Sequence, residues 1–296
     1  MLLVDKAGAM TSHDVVSRVR KLAGTRRVGH AGTLDPLATG LLLLGVNGAT
    51  RLLTYLVGLD KEYRATIRLG ASTPTDDSDS PVDVVADPKR LADVTLDAVV
   101  GAIRGLTGEI SQVPSAVSAI KVDGRRSYER VRAGEDVQLA ARNVTISAFD
   151  VLDARRREFF DIDARIACST GTYVRALARD LGSALGVGGH VIALRRTRVG
   201  PFDVADAKTL EEISVERDLA APADIARELF PVLELTEQQS IDLGHGKKLT
   251  VLGPERADPA APIAAIDPGG RLVGLVSIAD GTVSPIINFP PDSELQ

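Results

Sequence analysis

The chain has 296 residues, 44% hydrophobic and 25% charged, with 27 Gly, 15 Pro and one Cys. That is ordinary globular composition at a length that suits about two domains, and it excludes wholesale disorder, collagen and coiled coil. The net charge of -5 hides an asymmetry, because residues 1–200 hold 28 Lys+Arg against 23 Asp+Glu and residues 201–296 hold 7 against 17. A lone cysteine, Cys168, cannot close an internal disulfide, and the four scattered histidines argue against a structural zinc site. The longest apolar run, Leu41 to Val46, is far short of the ~20 residues of a membrane span. Met1-Leu2-Leu3-Val4 runs straight into Asp5 and Lys6 with no basic segment ahead of it, unlike a signal peptide, so a cytoplasmic protein is expected.

In chain order, Thr11 or Ser12 caps a helix with Val15, Val16, Val19 and Leu22 at helical spacing, ended by Gly24. The Gly-rich stretch 29–40 leads into residues 38–57, which read as mostly helical with breaks near Gly45 and Gly48. Lys61 to Leu69 alternates as a half-buried strand, with Tyr63, Ala65, Ile67 and Leu69 on one face. Thr73 to Asp79 is an acidic loop, and residues 95–106 form a helix capped by Thr95. Phe160 to Cys168 alternates again, which makes Cys168 a small core residue at a strand end. After Gly171 a helix carries Val174, Leu177, Ala178, Leu181 and Leu185 on one stripe, with Arg175 and Arg179 on its other side. His190 to Arg196 is a strand. Without a strict βαβ rhythm, the order points to an α+β fold with a mixed, largely antiparallel sheet. A boundary is expected between about 205 and 235, where the charge changes sign. The strand-like runs Lys248–Leu252, Pro262–Ile266, Arg271–Ile278 and Val283–Phe289 that follow suggest a small β-barrel.

Basic residues cluster at Arg18, Arg20, Lys21, Arg26 and Arg27, at Arg125, Arg126, Arg130 and Arg132, at 155–157, and at Arg195, Arg196 and Arg198. Each cluster reads either as a solvated face or as a surface that neutralises phosphates. Within Gly29-His30-Ala31-Gly32-Thr33-Leu34-Asp35-Pro36-Leu37-Ala38-Thr39-Gly40, the proline holds Asp35 out of the α region and the glycines admit close backbone approach. On these residues alone, Asp35 is either a helix cap or a carboxylate presented for chemistry.

That string resembles the catalytic motif of the TruB family of bacterial tRNA pseudouridine synthases, and the resemblance continues along the chain. Val4-Asp5-Lys6 and Met10 to Val16 are similar to the family's N-terminal signature, with Ala7-Gly8-Ala9 where relatives show Pro-Ala-Gly. Lys61-Glu62-Tyr63 resembles its Lys-x-Tyr motif, and Pro114–Gly124 followed by Arg125–Gly134 its RNA-gripping insertion. Cys168 to Arg175 resembles the Arg-bearing motif, His190 to Arg196 the last one, and Leu235 to Leu249 part of a PUA RNA-binding barrel.

The resemblance implies a pseudouridine synthase catalytic domain over 1–228, with the insertion at about 114–142, and a PUA-like domain over 229–296. It implies isomerisation of uridine to pseudouridine in the tRNA T-arm (position 55), after base flipping, by a monomer that needs no cofactor, metal, guide RNA or membrane. Asp35 is implied as the carboxylate that meets the positive character of glycosidic cleavage, with Arg175 pairing with it and holding it ionised. Tyr63 would stack on the base and help remove the C5 proton, and Leu194 would line the uracil pocket. His30 and Tyr173 are implied as RNA contacts, Lys61 as a residue that steadies the site or a phosphate, and Arg126 and Arg130 as part of the gripping surface. The rival readings are a tRNA-binding and folding factor with secondary or no isomerase activity, and a guide-RNA-dependent relative. A carbohydrate-active hydrolase is disfavoured, because no second carboxylate pairs with Asp35 in the sequence pattern.

Overall fold

A computed structural model describes residues 1–117, 139–250 and 261–289, with the backbone of two short strands at 121–122 and 125–126. Strand β1 (Leu2–Lys6) is followed by helix α1 (Ser12–Leu22), whose start is set by Thr11 and Asp14 in a reciprocal capping box. The apolar residues Val15, Val16 and Val19 of α1 are buried, as their spacing requires. Strands β2 (Val28–Ala31) and β3 (Thr39–Val46) come next.

Here the structure corrects the expectation of a helix over 38–57. Only Leu53–Val57 (α2) is α-helical, after a 3-10 turn over Asn47–Leu52, and residues 39–46 are strand. The reason lies in the four leucines 41–44, all fully buried. Leu42 and Leu44 join the core under α1, while Leu41 and Leu43 join a second core on the opposite face. A strand covered on both faces shows an unbroken apolar run with no period to read.

Strand β4 (Lys61–Leu69) leads to a small hairpin, β5 (Ala71–Ser72) and β6 (Val84–Val85), then to α3 (Pro88–Asp93), α4 (Leu96–Arg104) and β7 (Gly108–Gln112). The pair β8 (Lys121–Val122) and β9 (Arg125–Arg126) precedes the long β10 (Arg142–Arg156) and β11 (Phe160–Cys168). Helix α5 (Val174–Ala184), β12 (Gly189–Val199) and β13 (Phe202–Asp203) complete the large sheet, ordered β1-β3-β12-β4-β11-β10-β7. Its neighbours are antiparallel except β12 with β3, which run parallel through Arg195↔Thr39 and Arg196↔Gly40. Gly40 is required at that junction. Its φ is +98°, and a Cβ there would lie 2.2 Å from the Arg196 carbonyl oxygen.

The last third begins with α6 (Val215–Asp218) and α7 (Pro222–Leu229). Then come β14 (Val232–Glu234), α8 (Glu237–Gly244), β15 (Leu249–Thr250), β16 (Ile263–Ile266), β17 (Leu272–Ala279) and β18 (Thr282–Asn288). These strands form a curled half-barrel sheet ordered β14-β16-β17-β18-β15. One of its faces packs with α7 on Met1, Leu41, Leu43 and Val199, so the two sheets share an apolar layer. Among the described residues no helix is long and apolar enough to cross a membrane.

Candidate active site

The loop before β3 carries Asp35, and two buried polar residues hold that loop. Lys6 donates from Nζ to the carbonyls of Ala7 (2.9 Å), Met10 (2.7 Å) and Pro36 (3.5 Å). Burial pulls its ammonium down to about 8, against the attraction of the Asp35 carboxylate. Ser12 Oγ donates to the Leu34 carbonyl (3.0 Å) and accepts from the Leu34 N–H (2.8 Å). Ala9, in the segment where relatives show a different tripeptide, sits at φ 59° and donates its N–H to the Pro36 carbonyl at 2.9 Å. Residues 36–38 are bend and coil that run into β3, so Asp35 caps no helix.

Arg175, in the first turn of α5, donates to the two Asp35 oxygens from Nε (3.0 Å) and Nη2 (3.2 Å). The guanidinium is only 4% exposed while the carboxylate is 36% exposed, so the pair is sealed behind and open in front. The remaining donors are also used: Nη1 to the Thr75 carbonyl (2.7 Å), and Nη2 to the Val117 carbonyl (2.9 Å). A second carboxylate, Asp77, lies with Oδ2 3.4 Å from Nη1 and is 3% exposed. Asp77 is fixed in turn by the Thr75 hydroxyl (2.5 Å) and the Asp79 N–H (3.0 Å). Its loop is stitched to β12 by Ser78 N–H to Val191 O and Val191 N–H to Asp76 O, both 3.0 Å.

Tyr63 lies on β4 between Ile166 of β11 and Arg196 of β12. Burial pushes its phenol above the ordinary value, with the Arg196 guanidinium working the other way. Arg196 is itself fully buried and braces the loops, donating to the carbonyls of Leu41 (2.7 Å) and Gly32 (3.1 Å). Asp35, Tyr63, Tyr173, Arg175 and Leu194 line one pocket of about 60 Å³, along with Thr33, Leu34, Thr172 and Val174. Five of the residues singled out from sequence therefore converge, from four different segments of the chain.

The others are placed differently. His30 is half-buried on β2 outside the pocket lining, and burial, then Arg196 and His13, hold its imidazole below the usual histidine value. Lys61 is buried at the start of β4 and donates to the carbonyls of Val57 (2.6 Å) and Leu59 (2.5 Å). It steadies the turn after α2, where no phosphate is needed to explain it, and burial followed by Arg196 pulls it down to about 8. Arg130 lies outside the described residues, and of Arg126 only the backbone strand is described. Sequence reasoning missed Asp77, together with the bracing roles of Lys6, Ser12 and Arg196. The signal for Asp77 was its loop, where Thr73 and Thr75 flank it with short hydroxyls that fold back onto its own atoms.

Matches to known families cover the described site. Residues 20–174 match the TruB family pseudouridylate synthase N-terminal domain. Residues 175–233 match the tRNA pseudouridylate synthase B C-terminal domain, and residues 230–290 the tRNA pseudouridine synthase II C-terminal domain. The chain belongs to the TruB family of pseudouridylate synthases. It is 56% identical over 293 residues to the tRNA pseudouridine synthase B of Leifsonia xyli subsp. xyli, spanning 99% of this chain and 97% of that protein. It is 49% identical to the protein of the same name from Thermobifida fusca, spanning 98% of both. Among solved structures, a chain of a Cbf5-Nop10-Gar1 complex superposes with TM-score 0.71 at 25% identity, over 99% of this chain and 85% of that one.

Proposed function

We propose that this protein isomerises uridine to pseudouridine in the T-arm of tRNA, with Asp35 as the essential carboxylate. The observation that carries the reading is the Arg175–Asp35 pair opening into a pocket walled by Tyr63 and Leu194. In this reaction the C1′–N1 bond breaks, the uracil turns, and C1′ bonds to C5. The C5 proton leaves and N1 regains a proton, so atoms balance without oxidant, water or cofactor. Positive character develops at C1′, and an anion aimed there stabilises or captures it.

The division of labour follows from burial. Arg175 is sealed and aims the two Asp35 oxygens, while the exposed side of the carboxylate faces the pocket. Tyr63 is held as a neutral phenol, which suits stacking on the base and relaying the C5 proton through its hydroxyl. His30, beside the catalytic loop, serves the flipped nucleotide or the space that it vacates. The near-complete overlap with relatives named tRNA pseudouridine synthase B supports tRNA as the substrate, and we read the protein as a monomer that acts on it without a guide RNA, in the cytoplasm.

The test is pseudouridine formation in unmodified tRNA transcript, with the position mapped, for wild type beside Asp35→Asn. Product at the T-arm uridine from wild type, and none from a folded, tRNA-binding Asp35→Asn, is the expected result. Turnover by that variant near the wild-type rate would remove Asp35 from the mechanism. Tight tRNA binding by a wild type that forms no product would favour a folding factor instead.

A further inference from the structure

Gln112 ends β7 and is 2% exposed. A buried amide carries a donor and an acceptor that must both be matched. Gln112 matches both on one residue: its Oε1 accepts from the Tyr173 N–H at 2.9 Å, and its Nε2 donates to the Tyr173 carbonyl at 3.1 Å. Tyr173 is the residue from which α5 starts, and its side chain makes no capping bond. The first turn of α5 is therefore aligned by a side chain 61 positions earlier in the chain.

That alignment is continued by two arginines one helical turn apart. Arg179 Nη2 donates to the Val113 carbonyl (2.7 Å), and Arg175 Nη2 to the Val117 carbonyl (2.9 Å). Residues 112, 113 and 117 thus form a rail along α5, and Gln112 is its fixed end. The first turn of α5 delivers Tyr173 and Arg175 to the pocket. A shift of that turn by about 1 Å would stretch the 3.0 and 3.2 Å bonds to Asp35 past hydrogen-bonding length.

We infer that Gln112 is a positioning residue for the reaction, setting where the Arg175 guanidinium meets Asp35 by holding both backbone groups of Tyr173. The inference rests on the function proposed above. A purely structural amide would change stability and leave the rate at saturation alone, whereas a positioning amide changes the rate with little effect on tRNA affinity.

The experiment uses the full chain, unmodified tRNA transcript, single-turnover rates at saturating enzyme, and a separate tRNA Kd. Gln112→Leu keeps the volume and removes both bonds; the rate should fall roughly 10- to 100-fold, the scale of a misplaced catalytic group, with Kd within about twofold. Gln112→Glu keeps the acceptor and loses the donor, which protonation of the buried carboxyl restores. Its rate relative to wild type should therefore rise as pH falls between about 8.5 and 6. A wild-type rate for Gln112→Leu, or a loss confined to Kd, overturns the inference. If Gln112→Leu fails to fold, Gln112→Glu decides: a ratio to wild type near one and flat with pH overturns it as well. A wild-type protein that makes no pseudouridine overturns the proposed function, and this inference with it.

Discussion

Asp77 touches Arg175 without lining the pocket, so the guanidinium bridges two carboxylates of unequal exposure. Asp77→Asn preserves the shape and removes the buried charge. It should lower the single-turnover rate by roughly tenfold and cost about 1.5–3 kcal/mol of stability, as expected for a hydrogen bond to a charged group. Rate and denaturant midpoint together check this, and an unchanged rate would reduce Asp77 to a loop staple. His30 yields a pH prediction. Its imidazole is held below the ordinary value of 6.5 by burial first and by Arg196 and His13 next. The unfolded chain therefore binds the proton first as pH falls through 6.5, and stability drops with it. His30→Gln should flatten that acid limb below about pH 6.5, and parallel Tm curves for variant and wild type would place the loss elsewhere. That Asp35, Tyr63 and Arg175 come together in one pocket could be expected because the resemblance covers their motifs. Asp77 and Gln112 were not, because a lone Asp or Gln reveals its burial only once its partners, Arg175 and the Tyr173 backbone, are brought beside it.

Among the elements, those with one buried face announced themselves: α1, β4, β11 and α5 each show the period that their burial imposes. Strand β3 did not, because leucines 41–44 fill two cores at once and erase the alternation. The three-residue β14 also escaped notice, since its place rests on parallel pairing with β16 rather than on local pattern. The parallel contact of β3 with β12 is another feature of pairing that no local signal carries, and it hinges on Gly40. Gly40→Ala places a methyl group against the Arg196 backbone at a φ of +98°. It should cost about 3 kcal/mol or more, combining backbone strain with overpacking. It should also lower the rate, because Arg196 braces the Gly32 and Leu41 carbonyls on either side of the Asp35 loop. Thermal unfolding of the variant checks the first point; a Tm equal to wild type would mean that β12 can yield at that junction.

In the whole molecule the second core matters most. Met1, Leu41 and Leu43 from the large sheet, and Ala264, Ile266, Leu272, Leu275 and Phe289 from the last third, pack in one layer. The change of charge sign predicted a boundary near this region, and the shared layer qualifies how independent the two parts are. The full chain should melt in one cooperative transition, and a chain cut after Glu228 should aggregate or melt well below it, since the cut uncovers that layer. Calorimetry and light scattering decide, and a truncated chain that stays monomeric with the wild-type Tm would make the parts autonomous. The strand order has one more consequence, for the time course of synthesis. Strand β12 lies between β3 and β4, and it alone supplies Leu194 and the bracing Arg196. While the chain is still being made, everything before residue 189 can exist without a pocket, and β3 and β4 have no common neighbour to align them. The strand that closes the gap brings in contacts of long sequence separation all at once. A nascent chain on the ribosome therefore has no half-built version of this pocket: its wall is completed in one late step, with the eleven residues of β12.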